Sequence, residues 1–252
     1  MGTKRTQRGK KINKTTFFSY ISMRVVIPTS LSEIKLSQYM RYQKVLKDNQ
    51  DDETFVCIQM VAIFCNLSVA DVMKIPVNDF AEIVESIAKT LDQQPKLVQT
   101  FKMDGVNYGF IPNLDKMTLS EHATADTLLG NDENIPLLMS VLYRPIKRKA
   151  GAFYEIEEFD GDESKADLFK DVRMDVVVGS MLFFWTLSKD LLSNTLLHLE
   201  DKAAREGVNL EEILASGGVG ISHLLELREN LESTFAMWER SHFMSHSRYY
   251  HT

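Results

Sequence analysis

The sequence predicts a mainly α-helical fold with a minor β component: a helical bundle-like core, one β-hairpin near 97–111 and a long central helix near 172–205. Three observations carry this expectation. Apolar residues recur at helical spacing over much of the chain. Asp104-Gly105 stands between two β-prone arms, where it supplies the two positive-φ residues of a tight hairpin turn. The third is the stretch from Val172 to Leu199, the longest apolar-dominated helical pattern present.

In that stretch Met181, Leu182, Phe183, Phe184 and Trp185 are apolar on every side, so the helix needs other elements around it. A membrane is excluded by length. Asp175 precedes the run and Ser188-Lys189-Asp190 closes it, well short of the roughly 20 apolar residues a spanning helix requires. Past Lys189, Leu192, Leu196 and Leu199 keep helical spacing with polar residues between them, and the helix is expected to leave the core there.

In chain order, Val25-Val26-Ile27-Pro28 is an extended entry, and Ser30-Leu31-Ser32-Glu33 is a capping box for a helix through Leu46. Helices follow over Glu53–Leu67 and Asp79–Leu91, separated by the cap signature Ser68 to Asp71. After the hairpin, Thr118-Leu119-Ser120-Glu121 opens another helix, and Ile135–Tyr143 is a helix stopped by Arg144-Pro145. The basic residues Arg144, Lys147, Arg148 and Lys149 then read as a solvated turn. Phe153–Ile156 is a short strand, and the last helix spans Ser222–Phe243. Three segments result: a basic, disordered arm over 1–23, a compact helical body over 24–205, and a helical C-terminal extension over 206–252.

Charge is divided unevenly. Lys4, Arg5, Arg8, Lys10, Lys11 and Lys14 face no acidic residue within 1–23, so a net charge of −6 with +6 in the arm leaves −12 for the rest. The arm is a candidate nucleic-acid tether, although nucleic acid is the less favoured partner and a tail without a partner is the plainer reading. Met23, directly before the patterned sequence, is an alternative start. Cys57 and Cys65 lie about 12 Å apart on one helix, at 1.5 Å rise per residue, too far for a disulfide. They read as small hydrophobes in a reducing compartment.

Chemistry finds little purchase. Gly217-Gly218-Val219-Gly220 lacks the spacing of a phosphate cradle. His242 and His246 sit at i and i+4 without a third metal ligand. The acidic run Glu155, Glu157, Glu158, Asp160, Asp162 and Glu163 lacks a calcium-loop pattern and reads as a solvated linker. No catalytic residue, cofactor or metal is assigned, and a non-enzymatic protein is expected.

The order of IPTSLSEIKLSQYMRY, FVCIQMVAIFCNLSVADVMKI, FKMDGVNYGFIPNLDKMTLSEHATAD, LLMSVLYRPI, FYEIEEFDGD and VVVGSMLFFWTLSKDLL resembles a group of tailed-bacteriophage proteins described as tail assembly chaperones or left as uncharacterised phage proteins. The resemblance spans roughly residues 25–200. It implies a protein of the host bacterial cytoplasm that binds the phage tail tape-measure protein and brings tail-tube subunits to it. The alternatives are a structural virion protein of the neck or tail, and a nucleic-acid-associated protein using the basic arm. For partner binding, the candidate groove lining is Leu224, Leu227, Leu231, Phe235 and Trp238 on the last helix. No membrane partner is expected, and the reading leaves room for a homo-oligomer.

Overall fold

A computed structural model describes residues 17–20, 23–113, 132–151, 153–206 and 229. The chain enters as a two-stranded ribbon in which β1 (Phe17–Tyr20) pairs antiparallel with β2 (Met23–Val26). Strand β1 lies inside the 1–23 stretch expected to be a disordered arm. The Ser30 side chain accepts from Ser32 N–H and Glu33 from Thr29 N–H, each bond one residue away from the partners of the capping box expected there. Together they close one 3₁₀ turn, Leu31–Glu33, rather than opening the helix directly. Ile34 returns to extended backbone, and α1 (Leu36–Asp48) starts behind it.

Three further helices follow in the N-terminal half. Helix α2 (Glu53–Phe64) buries Val56, Cys57 and the whole run Met60–Phe64, which suits a segment with no polar face. Ser68 accepts from Asp71 N–H to cap the short α3 (Val69–Val72). Helix α4 (Val77–Leu91) turns Ile83, Val84, Ile87 and Leu91 inward. Its end is tied to the entry segment, since Thr90 Oγ1 donates to Pro28 O (2.9 Å) and Gln93 Nε2 to Thr29 O (2.9 Å).

The hairpin forms as expected. Asp104 (φ 48°) and Gly105 (φ 83°) turn β3 (Thr100–Met103) into β4 (Val106–Phe110). Beyond residue 131 the sequence reading needs correction. Helix α5 (Ile135–Leu142) ends one residue before Tyr143, and the chain passes without a loop into β5 (Tyr143–Ala150), which pairs with β4. Arg144, Lys147, Arg148 and Lys149 therefore belong to a strand, not a turn. The physical reason is Pro145. A proline pushes the residue before it toward extended backbone, so Arg144-Pro145 ends a helix and begins a strand at once. Strand β6 (Phe153–Ile156) completes an antiparallel sheet of order β3-β4-β5-β6. With seven helices among the described residues and this four-stranded sheet, the fold is α+β rather than mainly α-helical.

Two short helical pieces, the 3₁₀ turn Glu163–Lys165 and α6 (Ala166–Phe169), lead into α7 (Met174–Glu206), close to the expected 172–205. The start of α7 is latched to the start of α1. Leu36 N–H donates to Val172 O (2.8 Å), Met174 N–H to Ile34 O (2.9 Å), and Ser37 N–H to Lys170 O (2.7 Å). The buried part of α7 is Val176–Met181, while Leu182, Phe183, Phe184 and Trp185 are only half-buried. The core thus sits about one turn earlier than the sequence suggests, because the two phenylalanine rings pack sideways onto the sheet. Phe110 meets Phe183 edge-on at 5.6 Å and Phe184 at 5.9 Å. The extension expected over 206–252 lies outside the described residues, apart from Glu206 and residue 229. The helix expected from Thr118 does so as well.

Gly179 lets α7 approach the segment that feeds β3. A Cβ there would sit 2.5 Å from the Lys96 carbonyl oxygen, a backbone atom that cannot swing aside. Gly179→Val is therefore expected to lower unfolding stability by about 2 kcal/mol, within the range for overpacking. Urea denaturation measures it, and an unchanged midpoint would show that this approach is not tight.

Candidate functional site

The sheet has two unlike faces. Cross-strand partners share a face, and Phe101, Tyr108, Phe110 and Tyr143 line the inner one as a set of stacked and edge-on rings 5.2–5.5 Å apart. On the outer face Gly109 leaves a gap, filled by Tyr154 from β6. A Cβ on Gly109 would fall 2.5 Å from the tyrosine ring. The Tyr154 hydroxyl donates to Phe110 O (2.8 Å) and approaches Gln99 O (3.3 Å). The β5–β6 hairpin is thereby folded back over β4.

That folding opens a cleft of about 410 Å³ between the β3–β4 hairpin and the outer half of β5. Its lining is Thr100, Phe101, Lys102 and Asn107 on one side, and Ile146, Lys147, Arg148 and Lys149 on the other. A regular strand sends consecutive side chains to opposite faces. Here Ile146 pairs with Ile156 and Arg148 with Glu155, so Lys147 is one extra residue, a β-bulge that breaks the alternation. Lys147, Arg148 and Lys149 all border the cleft, with Lys102 across from them; cross-strand pairing puts Lys149 beside Tyr154 on the Gly109 face and Arg148 beside Glu155 on the other. Among the described residues no carboxylate contributes to its walls. Among the described residues no ion pair engages any of the four, including Arg148 with its cross-strand neighbour Glu155. Phe153, opposite Ala150 near the hairpin tip, is 85% exposed.

A second, smaller cleft of about 200 Å³ has carboxylates and Arg144 in its lining. The acidic run here builds a turn: Asp162 N–H donates to Asp160 (3.1 Å) and Ser164 N–H to Asp162 (3.0 Å). A hydrogen bond from Lys165 draws the Asp160 carboxyl below its usual range. No group of three or more metal-ligating side chains comes together among the described residues.

The residues singled out from sequence, Leu224, Leu227, Leu231, Phe235 and Trp238, and Lys4, Arg5, Arg8, Lys10, Lys11 and Lys14, lie outside the described residues. His242 and His246 do too. The cationic cleft escaped the sequence reading, yet a signal for it exists. Ile146–Ala150 and Phe153–Ile156 flank a short glycine-containing connection, a hairpin pattern that would have placed the KRK run on a strand.

Neither thiol is poised as a nucleophile. Burial pushes Cys57 up to about 11, with Glu53 adding to it, and Cys65 up to about 12, both from an ordinary 9.0. The folded protein holds these protons to higher pH than the unfolded chain does. Stability is therefore expected to fall as pH climbs from 9.0 toward 11 and 12, and the buried phenols of Tyr42 and Tyr143, also raised by burial, act in the same sense. Denaturation curves at pH 8, 9 and 10 measure the loss. At pH 8 both thiols should resist a disulfide reagent until denaturant is added, and rapid reaction in the native state would contradict their burial. No family model, no curated protein and no solved structure matches this chain.

Proposed function

We propose that this chain is a non-enzymatic binding protein of tailed-phage tail morphogenesis: a tail assembly chaperone that holds the tape-measure protein and tail-tube subunits in the host cytoplasm. The observation that supports it most is the shape of α7. At 1.5 Å per residue, its 33 residues extend about 50 Å, and among its described side chains the buried ones end at Met181. Past the half-buried Leu187 the described side chains Asp190, Asn194, Leu197, His198, Asp201 and Arg205 are all exposed. Leu197 stands 63% exposed among them. A rigid helix anchored at one end and offered at the other suits a partner that is itself helical, as a tape-measure protein is in the resembling group. No helix among the described residues is long and apolar enough to cross a membrane.

Mass spectrometry of purified virions beside infected-cell lysate tests the reading. Peptides confined to the lysate are expected. Stoichiometric presence in virions would replace the chaperone with a structural component of the neck or tail. A second expectation concerns Leu197→Asp, which should leave stability within about 0.5 kcal/mol, as for other surface changes, while reducing co-purification with the tape-measure protein. Undiminished capture would exclude this face of α7 from the interface.

A further inference from the structure

We propose that the free edge of β6 is a strand-docking site, and that the basic arm of the same chain, within Lys4–Lys14, lies along it as an added strand. This inference does not depend on the tail-assembly reading.

The first ground is the backbone of β6. In an antiparallel ladder, successive residues turn their N–H and C=O groups toward one neighbouring strand and then the other. Ala150 pairs with Phe153 across the connection at Gly151, and Glu157 N–H donates to Pro145 O (2.9 Å), so Phe153, Glu155 and Glu157 engage β5. Tyr154 and Ile156 turn their backbone groups to the other side, where the four-stranded sheet ends. Among the described residues nothing meets them there. Exposed edges are ordinarily blunted by lysine, proline or a bulge. The opposite edge strand, β3, carries Lys102, whereas β6 (FYEI) has none of the three, since the bulge lies on β5. The Tyr154 hydroxyl bond to Phe110 O holds this edge in place before any partner arrives.

The second ground is charge, which selects the occupant. Glu155, Glu157 and Glu158 follow along the edge and just past it, and no ion pair among the described residues engages them. The arm brings six cations and no acidic residue. An added strand would lie about 4.8 Å from β6 and twice that from β5. The cations of β5 thus stand beyond the Debye length of about 8 Å at physiological salt, and the carboxylates of β6 well inside it. Extended, the sixteen residues ahead of Phe17 span about 55 Å, against a radius of gyration of about 18 Å for a compact chain of this size. The arm is therefore long enough to cross a face of the body, and tethering gives it an effective concentration on the order of millimolar. A second copy fits less well. Pairing two β6 strands so that Tyr154 of one meets Ile156 of the other sets Glu155 opposite Glu155 at a closely spaced position, a like-charge pair that destabilises the ladder.

The test is amide hydrogen exchange of the full-length chain, followed by NMR at Tyr154 and Ile156. The comparison variant combines Lys4→Gln, Arg5→Gln, Arg8→Gln, Lys10→Gln, Lys11→Gln and Lys14→Gln. At low salt both wild-type amides should exchange at least about tenfold more slowly than the variant's, since exchange there follows opening of the docked strand. At 1 M salt, where the Debye length shrinks to about 3 Å, that protection should be lost without any substitution. Glu155→Gln with Glu157→Gln and Glu158→Gln should lose it as well. Three results would overturn the proposal: fast exchange of both amides in the wild-type chain at low salt; equal protection in the arm variant or at high salt, which would put another segment on the edge; and protection that rises with protein concentration together with a doubled mass in sedimentation, which would assign the edge to a second copy.

Discussion

Phe110 is the residue on which both faces of the sheet depend. Its ring, on the inner face, meets Tyr143 at 5.2 Å and the two phenylalanines of α7, so it fastens the strands to the long helix. Its carbonyl oxygen accepts the Tyr154 hydroxyl, which holds the β5–β6 hairpin over Gly109. Ring pairs of this geometry contribute about 0.5–1.5 kcal/mol each beyond the area they bury, and a typical net hydrogen bond about 1 kcal/mol. Neither is large alone. Their concentration on one residue makes the position of the outer hairpin a consequence of how the inner core packs.

Helix α7 has the same divided character along its length. Its start is fixed by three backbone hydrogen bonds to the 34–37 segment and by the glycine that lets it lie against Lys96. Its later turns carry ordinary surface features, such as the Asp201–Arg205 pair at i and i+4, a contact worth little on its own. Rigidity there comes from continuity with the buried turns. The exposed salt bridges elsewhere, among them Lys35–Asp171 beside the latch, likewise decorate contacts that the backbone already makes.

What was readable in advance follows from range. Asp104-Gly105, the Ser68 cap and the apolar stripe of α4 are local signals, and each element forms where its residues imply. The 172–205 helix is readable because its apolar run is long. Errors arise where one residue serves two neighbours. Pro145 ends a helix and starts a strand, and reading only the first effect turned β5 into a loop and the α+β fold into a helical one. Depth was misjudged for Phe183 and Phe184 for a related reason: composition shows that a ring is apolar, but only the partner surface shows which of its edges is covered. The cationic cleft needed long-range information of both kinds, since Lys102 meets the 147–149 segment only once the sheet has formed and curled.

The single extra residue in β5 also has a bearing on how this protein tolerates change in length. Side-chain direction beyond the bulge is set by the parity of the chain before it. Removing Lys147 would leave Ile146 opposite Ile156 and Arg148 opposite Glu155 in regular alternation, with Tyr154 still on the face of Gly109. The bulge is slack that absorbs a one-residue deletion, whereas a one-residue insertion beside it would have to widen the bulge or turn the outer hairpin over. Of two sequence changes equally small on paper, the shorter chain is the one that keeps the outer hairpin's seat.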